Sequence, residues 1–345
     1  MASYIMQKND LAKFVESLAG EFPAGVLGPV RNDGKMVLAA AAPDEFCLDF
    51  QNTTLSPKDL FFPQSEKMLE FNATPGEEGA FILEDVKEKP RRRLVMGIRP
   101  CDAKAFAVLD TIFTNDQYSD PYWVDKRGAT TLIGLACNYP CPTCFCTSVD
   151  TGPFHEEGLD ALAVDLGDKL LLAPLTPKGE EVFKKAKGLT PAADEDEARA
   201  KELQQQAEAA ITDKLETDNI EKRSVMELFE APHWDEVQER CLNCGVCTFV
   251  CPTCHCFDIQ DEVHGGKGVR LRNWDYCMSW LFTKHGSGHN PRPDKKSRVR
   301  QRFMHKFKYI PMKRGGAIGC VGCGRCVTLC PVNIDVREVV REMNA

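Results

Sequence analysis

Cys241-Leu242-Asn243-Cys244-Gly245-Val246-Cys247-Thr248-Phe249-Val250-Cys251-Pro252 decides how this chain is read. The stretch from Cys320 through Cys323, Cys326 and Cys330 to Pro331 repeats its spacing about 80 residues later. Each run is C-x2-C-x2-C-x3-C-P, the bacterial ferredoxin spacing that holds cubane [4Fe–4S] clusters. A thiolate at every third residue lets one short, curled loop reach three corner irons, with its backbone N–H groups turned to the cluster sulfurs. The fourth cysteine follows one helical turn later, and in two-cluster proteins it ligates the other cluster. Structural zinc is the competing reading, but its CxxC pairs are normally a dozen or more residues apart. Four cysteines within eleven residues, twice, each run closed by proline, point to iron–sulfur and so to electron transfer.

With 345 residues the chain is long enough for two ordinary domains. Its 43% hydrophobic and 27% charged residues are those of a soluble globular protein. No run of 18 apolar residues occurs, so no membrane-spanning helix is expected. The first residues, MASYIMQKNDLAKFVESLAG, lack a basic start, an apolar core and a small-residue cleavage site, so no secretory signal is expected. Seventeen cysteines, an odd number, argue against a disulfide scaffold and make the reducing cytoplasm the expected compartment. A net charge of −8 argues against a general nucleic-acid binder. The charge is uneven, with ten Lys/Arg and one acid, Asp294, between Arg292 and Arg314. That stretch reads as a solvated basic helix or as a docking face for an acidic partner. Cations near a four-thiolate cluster would also raise its reduction potential.

Residues 1–175 read as an α/β domain. Leu11 to Leu18 has helical apolar spacing after the plausible caps Asn9 and Asp10. Asn32-Asp33-Gly34 between Val26–Val30 and Met36–Ala41 is a hairpin turn signal. Arg93 to Ile98, after the charged segment Lys87 to Arg92, and Thr131 to Ala136 are short apolar runs of buried-strand type, and Ala103 to Phe113 has helical periodicity. Cys101 and Cys137 therefore fall at the carboxyl ends of strands, where ligands sit in open α/β sheets. Cys101 also falls at a helix N-terminus, whose dipole favours a thiolate. Residues 176–225, rich in Ala, Glu, Gln and Lys, read as a charged helical connector, with a helix over Asp194 to Leu215. Residues 226–345 hold both motifs, and their long separation, with helix-like stretches at Asp275 to Lys284 and Ser297 to Phe307, favours a mostly helical two-cluster domain.

A second group of cysteines, Cys101, Cys137, Cys141, Cys144 and Cys146, suggests a third [4Fe–4S] cluster. Its expected ligands are Cys101, Cys137, Cys144 and Cys146, with Cys141 in reserve; zinc or uncoordinated thiols are the alternatives. Cys254, Cys256 and Cys277 read as buried inert thiols, with lining a cluster pocket or serving as an exchange ligand as the alternative, and Cys47 has no assigned role. His255, His264, His285, His289 and His305 are expected to pack or hydrogen-bond rather than ligate. No G-x-G-x-x-G after a strand, no Walker A run and no G-x-S-x-G elbow is present, and His264 to Gly268 is too short for a phosphate loop. No flavin or nucleotide is therefore expected on this chain.

Gly97-Ile-Arg-Pro-Cys-Asp102, Cys144-Phe-Cys146-Thr-Ser148, Arg240-Cys-Leu-Asn-Cys-Gly-Val-Cys247, Cys251-Pro-Thr-Cys254, Gly288-His-Asn-Pro-Arg-Pro293 and Arg300-Gln-Arg-Phe303 together resemble one lineage over nearly the whole chain. It is the iron–sulfur subunit shared by cytoplasmic sulfhydrogenases (beta) and anaerobic sulfite reductases (A), similar also to subunits of flavin complexes that feed heterodisulfide reductase. The resemblance implies an α-helical ferredoxin fold for the C-terminal part. It implies one cluster on Cys241, Cys244, Cys247 and Cys330, and another on Cys320, Cys323, Cys326 and Cys251. The implied role is a non-catalytic electron relay between a flavin subunit handling NAD(P)H and a catalytic subunit of hydrogenase, sulfite reductase or heterodisulfide reductase type. The alternative is a reductase whose N-terminal cluster itself binds a sulfur species or a thiol/disulfide substrate.

Overall fold

The computed structural model describes residues 2–85 and 90–345, so Lys87, Glu88 and Lys89 of the charged segment before Arg93 lie outside the described residues. In chain order the strands are β1 (Tyr4–Gln7), β2 (Val26–Asn32), β3 (Lys35–Ala40), β4 (Ser65–Asn72), β5 (Glu84–Asp85), β6 (Arg93–Ile98), β7 (Thr130–Leu135), β8 (Ala161–Asp165), β9 (Lys169–Pro174), β10 (Leu189–Pro191), β11 (Phe257–His264) and β12 (Lys267–Trp274). Eight of them form one mixed sheet in the order β10-β1-β9-β8-β7-β6-β2-β3. Its centre, β2, β6, β7 and β8, is parallel. Strands covered on both faces need continuous apolar runs rather than alternation, and every residue of β7 is buried. The β2–β3 hairpin pairs Asn32 with Lys35, leaving Asp33 (φ 46°) and Gly34 (φ 73°) as a two-residue turn.

Helix Pro100–Phe113 crosses from β6 to β7, starting with proline in the first turn, where the missing N–H costs nothing. It buries Ala103, Phe106, Leu109 and Phe113 against one face of the sheet. Helices Leu11–Leu18 and Pro177–Lys185 cover the other face, through Phe14, Leu18, Val182 and Phe183. Helix Asp194–Ala210 packs Ala200, Leu203 and Ala207 into the same core as Phe106. It stops short of the expected Leu215. Beyond it Asp213 is held by Arg337 at 2.9 Å, and the Leu215 N–H donates to Ser148 Oγ at 2.9 Å, which draws the chain away.

The C-terminal part has its own core, in which Trp234, Phe303, Met304, Phe307, Val339 and Val340 meet. Its motif-to-motif segment departs from the helical expectation in two places. Residues 257–274 form the hairpin β11–β12, turned by Gly265 (φ 57°) and Gly266 (φ 79°). The segment from His264 to Gly268 is thus a β-turn. The hairpin joins N-terminal strands in a second, antiparallel sheet of order β11-β12-β4-β5. Arg272 of β12 is buried there between Glu66 and Asp120. Asp275 to Lys284 is a run of turns, not a helix. Asn290 accounts for this, donating to the Trp280 carbonyl at 2.6 Å and accepting from Thr283 Oγ1 at 2.7 Å, which fixes the loop in place of a helical ladder. Helix Lys295–Met304, extended by a π-turn over His305–Tyr309, forms where expected. The basic stretch is not a solvated face: Arg298, Arg302, Lys306 and Lys308 are buried. No helix among the described residues is long and apolar enough to cross a membrane.

Candidate iron–sulfur sites

The two motif loops take the same backbone course. Asn243 (φ 60°) and Gly245 (φ 77°) in the first match Gly322 (φ 62°) and Gly324 (φ 74°) in the second. These left-handed steps curl each loop around its cysteines, and each glycine after the second cysteine then starts a one-turn helix, Val246–Phe249 or Arg325–Thr328. The curl turns backbone N–H groups onto sulfur. Asn243 N–H donates to Cys241 Sγ at 3.3 Å, Gly322 N–H to Cys320 Sγ at 3.5 Å and Ile334 N–H to Cys330 Sγ at 3.2 Å.

The side chains of Cys241, Cys244 and Cys247 from the first motif and Cys330 from the second line one cavity, with Met278, Val299 and Phe303 as its apolar wall. Cys251, the fourth cysteine of the first motif, lies instead with the second. Burial pushes the Cys320 thiol up to about 11 and raises those of Cys323 and Cys326, and the charge of Cys251 raises each further. Such thiols resist ionising alone, so a metal that displaces their protons supplies the compensation. The donor sets and their apolar surroundings fit cubane clusters.

The N-terminal cysteines come together at the carboxyl end of the parallel strands. Cys101 sits in the first turn of helix Pro100–Phe113 and Cys137 two residues past β7. They share a cavity with Cys144 and Cys146. Arg99 ties this corner together, donating to the carbonyls of Gln51 (3.0 Å), Leu135 (3.0 Å), Ala136 (2.7 Å) and Phe50. Burial raises the Cys101 and Cys137 thiols and pushes Cys146 up to about 12. Cys141 lines an adjoining, more open cleft with Arg31, Thr143 and Thr328. A hydrogen bond from the Cys144 thiol holds it down at about 7.

Sequence reasoning missed how closely the second motif is built against this N-terminal corner. Cys323 forms part of the wall of the N-terminal cavity. The Phe145 N–H donates to the Gly322 carbonyl at 2.9 Å, and Asn52 Nδ2 to the Cys323 carbonyl at 3.2 Å. Arg325 forms a buried bidentate pair with Asp102 at 2.7 Å and also donates to the Thr53 carbonyl at 2.9 Å. A Cβ on Gly322 would stand 2.5 Å from the Cys146 backbone. Gly322→Ala is therefore expected to lower stability by about 1–3 kcal/mol from the left-handed backbone alone, and more from the clash. Anaerobic denaturant unfolding reads this directly; an unchanged midpoint would contradict the packing.

The remaining thiols and rings have partners of their own. Cys256 and Cys277 hydrogen-bond to each other and Cys254 to Cys251, all within the C-terminal part. Cys47 Sγ donates to the Asp49 carbonyl at 3.3 Å. His255 Nδ1 lies 3.0 Å from the Thr253 carbonyl, and its ring packs beside Phe113 and His305. Among the described residues no three His, Cys, Asp or Glu side chains close on a single metal ion.

Residues 240–334 match the family model described as a 4Fe-4S dicluster domain. With the paired motif loops, this makes the chain an iron–sulfur protein of the electron-transfer class. It is similar to sulfhydrogenase 2 subunit beta of Pyrococcus furiosus, with 29% identity over 326 residues covering 92% of each chain. No solved structure matches.

Proposed function

We propose that the chain relays electrons through three [4Fe–4S] clusters, between a flavin subunit that handles NAD(P)H and a catalytic subunit of a cytoplasmic oxidoreductase complex. The observation that carries this reading is the cavity shared by Cys241, Cys244, Cys247 and Cys330, four thiols from two distant motifs. These four would hold one cluster; Cys251, Cys320, Cys323 and Cys326 a second; Cys101, Cys137, Cys144 and Cys146 a third. Each cluster supplies one-electron chemistry. Cys323 on the wall of the N-terminal cavity and Cys326 on that of the first cavity support a second set lying between the other two. The three sites would then lie in the order N-terminal, middle, outer. Cys244 is exposed and Leu242 beside it is 63% exposed, so the outer site is the natural exchange point with a partner. The similarity to a sulfhydrogenase beta subunit favours a hydrogenase or sulfur-reductase assembly.

Electron paramagnetic resonance of the dithionite-reduced protein tests the relay. Three neighbouring paramagnets should give split, fast-relaxing signals integrating to more than one spin per chain. A single isolated signal, or none, would count against it.

One observation favours the second reading, a reductase with a substrate site at the N-terminal cluster. The cleft lined by Cys141, Arg31 and Thr143 shares Gln51, Asn52 and Cys323 with the N-terminal cavity. Sulfite or a small thiol would then perturb the spectrum of that cluster, and indifference to both would sink this reading.

A further inference from the structure

The helix Lys295–Met304 and its π-turn carry four buried cations whose partners differ. Arg298 and Lys308 donate to backbone carbonyls. Arg298 donates to those of Arg292 (3.2 Å) and Pro293 (3.0 Å), and Lys308 to those of Ile220, Glu221 and Arg223 at 2.6–2.9 Å. The other two face thiols. Lys306 Nζ stands 3.3 Å from Cys251 Sγ, 2.8 Å from Thr253 Oγ1 and 2.9 Å from the Gly319 carbonyl. Its three protons thus have three acceptors. One turn earlier, Arg302 Nη1 lies 3.8 Å from Cys254 Sγ, and the residue lines the cavity of Cys241, Cys244, Cys247 and Cys330.

Among the described residues, neither Lys306 nor Arg302 pairs with a carboxylate. A buried cation without a counter-charge is costly, so negative charge must come from the sulfur side. The π-turn, a form that recurs at functional sites, helps to fix the geometry. Its Lys306 carbonyl accepts from Gly319 N–H at 2.8 Å, so backbone and side chain of one residue both grip the residue before Cys320.

We infer that Lys306 sets the reduction potential of the cluster held by Cys251, Cys320, Cys323 and Cys326, acting through its hydrogen bond to Cys251. The inference rests on the reading that these four cysteines hold a cluster. Reduction adds negative charge to a centre that four thiolates already make negative. A fixed ammonium hydrogen-bonded to one thiolate stabilises the reduced form and raises the potential. Lys306 is a positioning residue, one step removed from the metal. Its field falls with distance, so the other two centres should feel it less.

The test is a potentiometric titration of the whole chain, followed by electron paramagnetic resonance, with iron counted on the same sample. Lys306→Met removes the charge at similar length. One midpoint potential should move to a more negative value, the others should hold, and iron per chain should match wild type. Lys306→Arg should recover the wild-type midpoint in large part. Unchanged midpoints in iron-replete Lys306→Met would overturn the inference. Should Lys306→Met be short of iron, Lys306→Gln, which can still hydrogen-bond to Thr253 and Gly319, decides by the same titration. Loss of iron from both would assign Lys306 to cluster assembly and overturn the inference too. A wild-type chain lacking iron would instead sink the cluster reading itself, which separates the two failures.

Discussion

Cys330→Ser is expected to strip about four irons from each chain, and to take them from the site of the first motif although Cys330 belongs to the second. The spectroscopic signature lost should be the one lost in Cys244→Ser. Cys251→Ser should instead match Cys320→Ser. The prediction follows from the cavity that Cys330 shares with Cys241, Cys244 and Cys247, and from the position of Cys251 among the second set. Iron analysis with paired low-temperature spectra of the four variants decides it. If Cys330→Ser behaved like Cys320→Ser, each motif would build its own cluster and the crossed arrangement would fall.

Asp102→Ala is expected to cost about 3–5 kcal/mol of stability, because it leaves the Arg325 guanidinium buried without its carboxylate. Arg325 and Asp102 are only 3% and 1% exposed and join helix Pro100–Phe113 to the second motif loop. Thiolates at Cys323 and Cys101 lie near enough to favour the charged Arg325, so a fully loaded chain should fall toward the lower figure. Removing both charges in Asp102→Ala/Arg325→Met should restore much of the loss, since the cost belongs to the unpaired ion rather than to the missing bond. Anaerobic denaturant unfolding of the single and double variants measures both quantities. A double variant no more stable than Asp102→Ala would show that the cost does not come from the unpaired Arg325 charge.

What could be read from the sequence was whatever is decided locally. The cysteine spacings, the Asp33-Gly34 turn, and the apolar runs of β6 and β7 are short-range signals, and the structure has a loop, a hairpin and two strands there. Placing Cys101 and Cys137 at strand ends needed only those two strands. The hairpin β11–β12 was missed although its signal was present: Phe257, Ile259 and Val263 alternate with polar residues, and so do Val269 and Leu271. Gly265-Gly266 between these two alternating runs completes the hairpin signal. The burial of Arg302, Lys306 and Lys308 was not legible, because a cation's cost is settled by acceptors elsewhere in the chain: Cys251, Thr253, Gly319 and the carbonyls around Ile220. The same applies to Arg325 and Asp102, which lie more than 200 residues apart. The approach of Cys323 to the N-terminal cavity is likewise tertiary, and nothing in the motif spacing points to it.

The most direct test of the relay is anaerobic iron, acid-labile sulfide and zinc content, measured on the wild-type chain and on Cys101→Ser/Cys146→Ser. Three clusters predict about twelve irons per chain with matching sulfide and no zinc, falling to about eight in the double variant. About eight irons in both proteins would contradict a third cluster and leave the N-terminal corner a zinc site or a set of bare thiols, which the zinc value would tell apart.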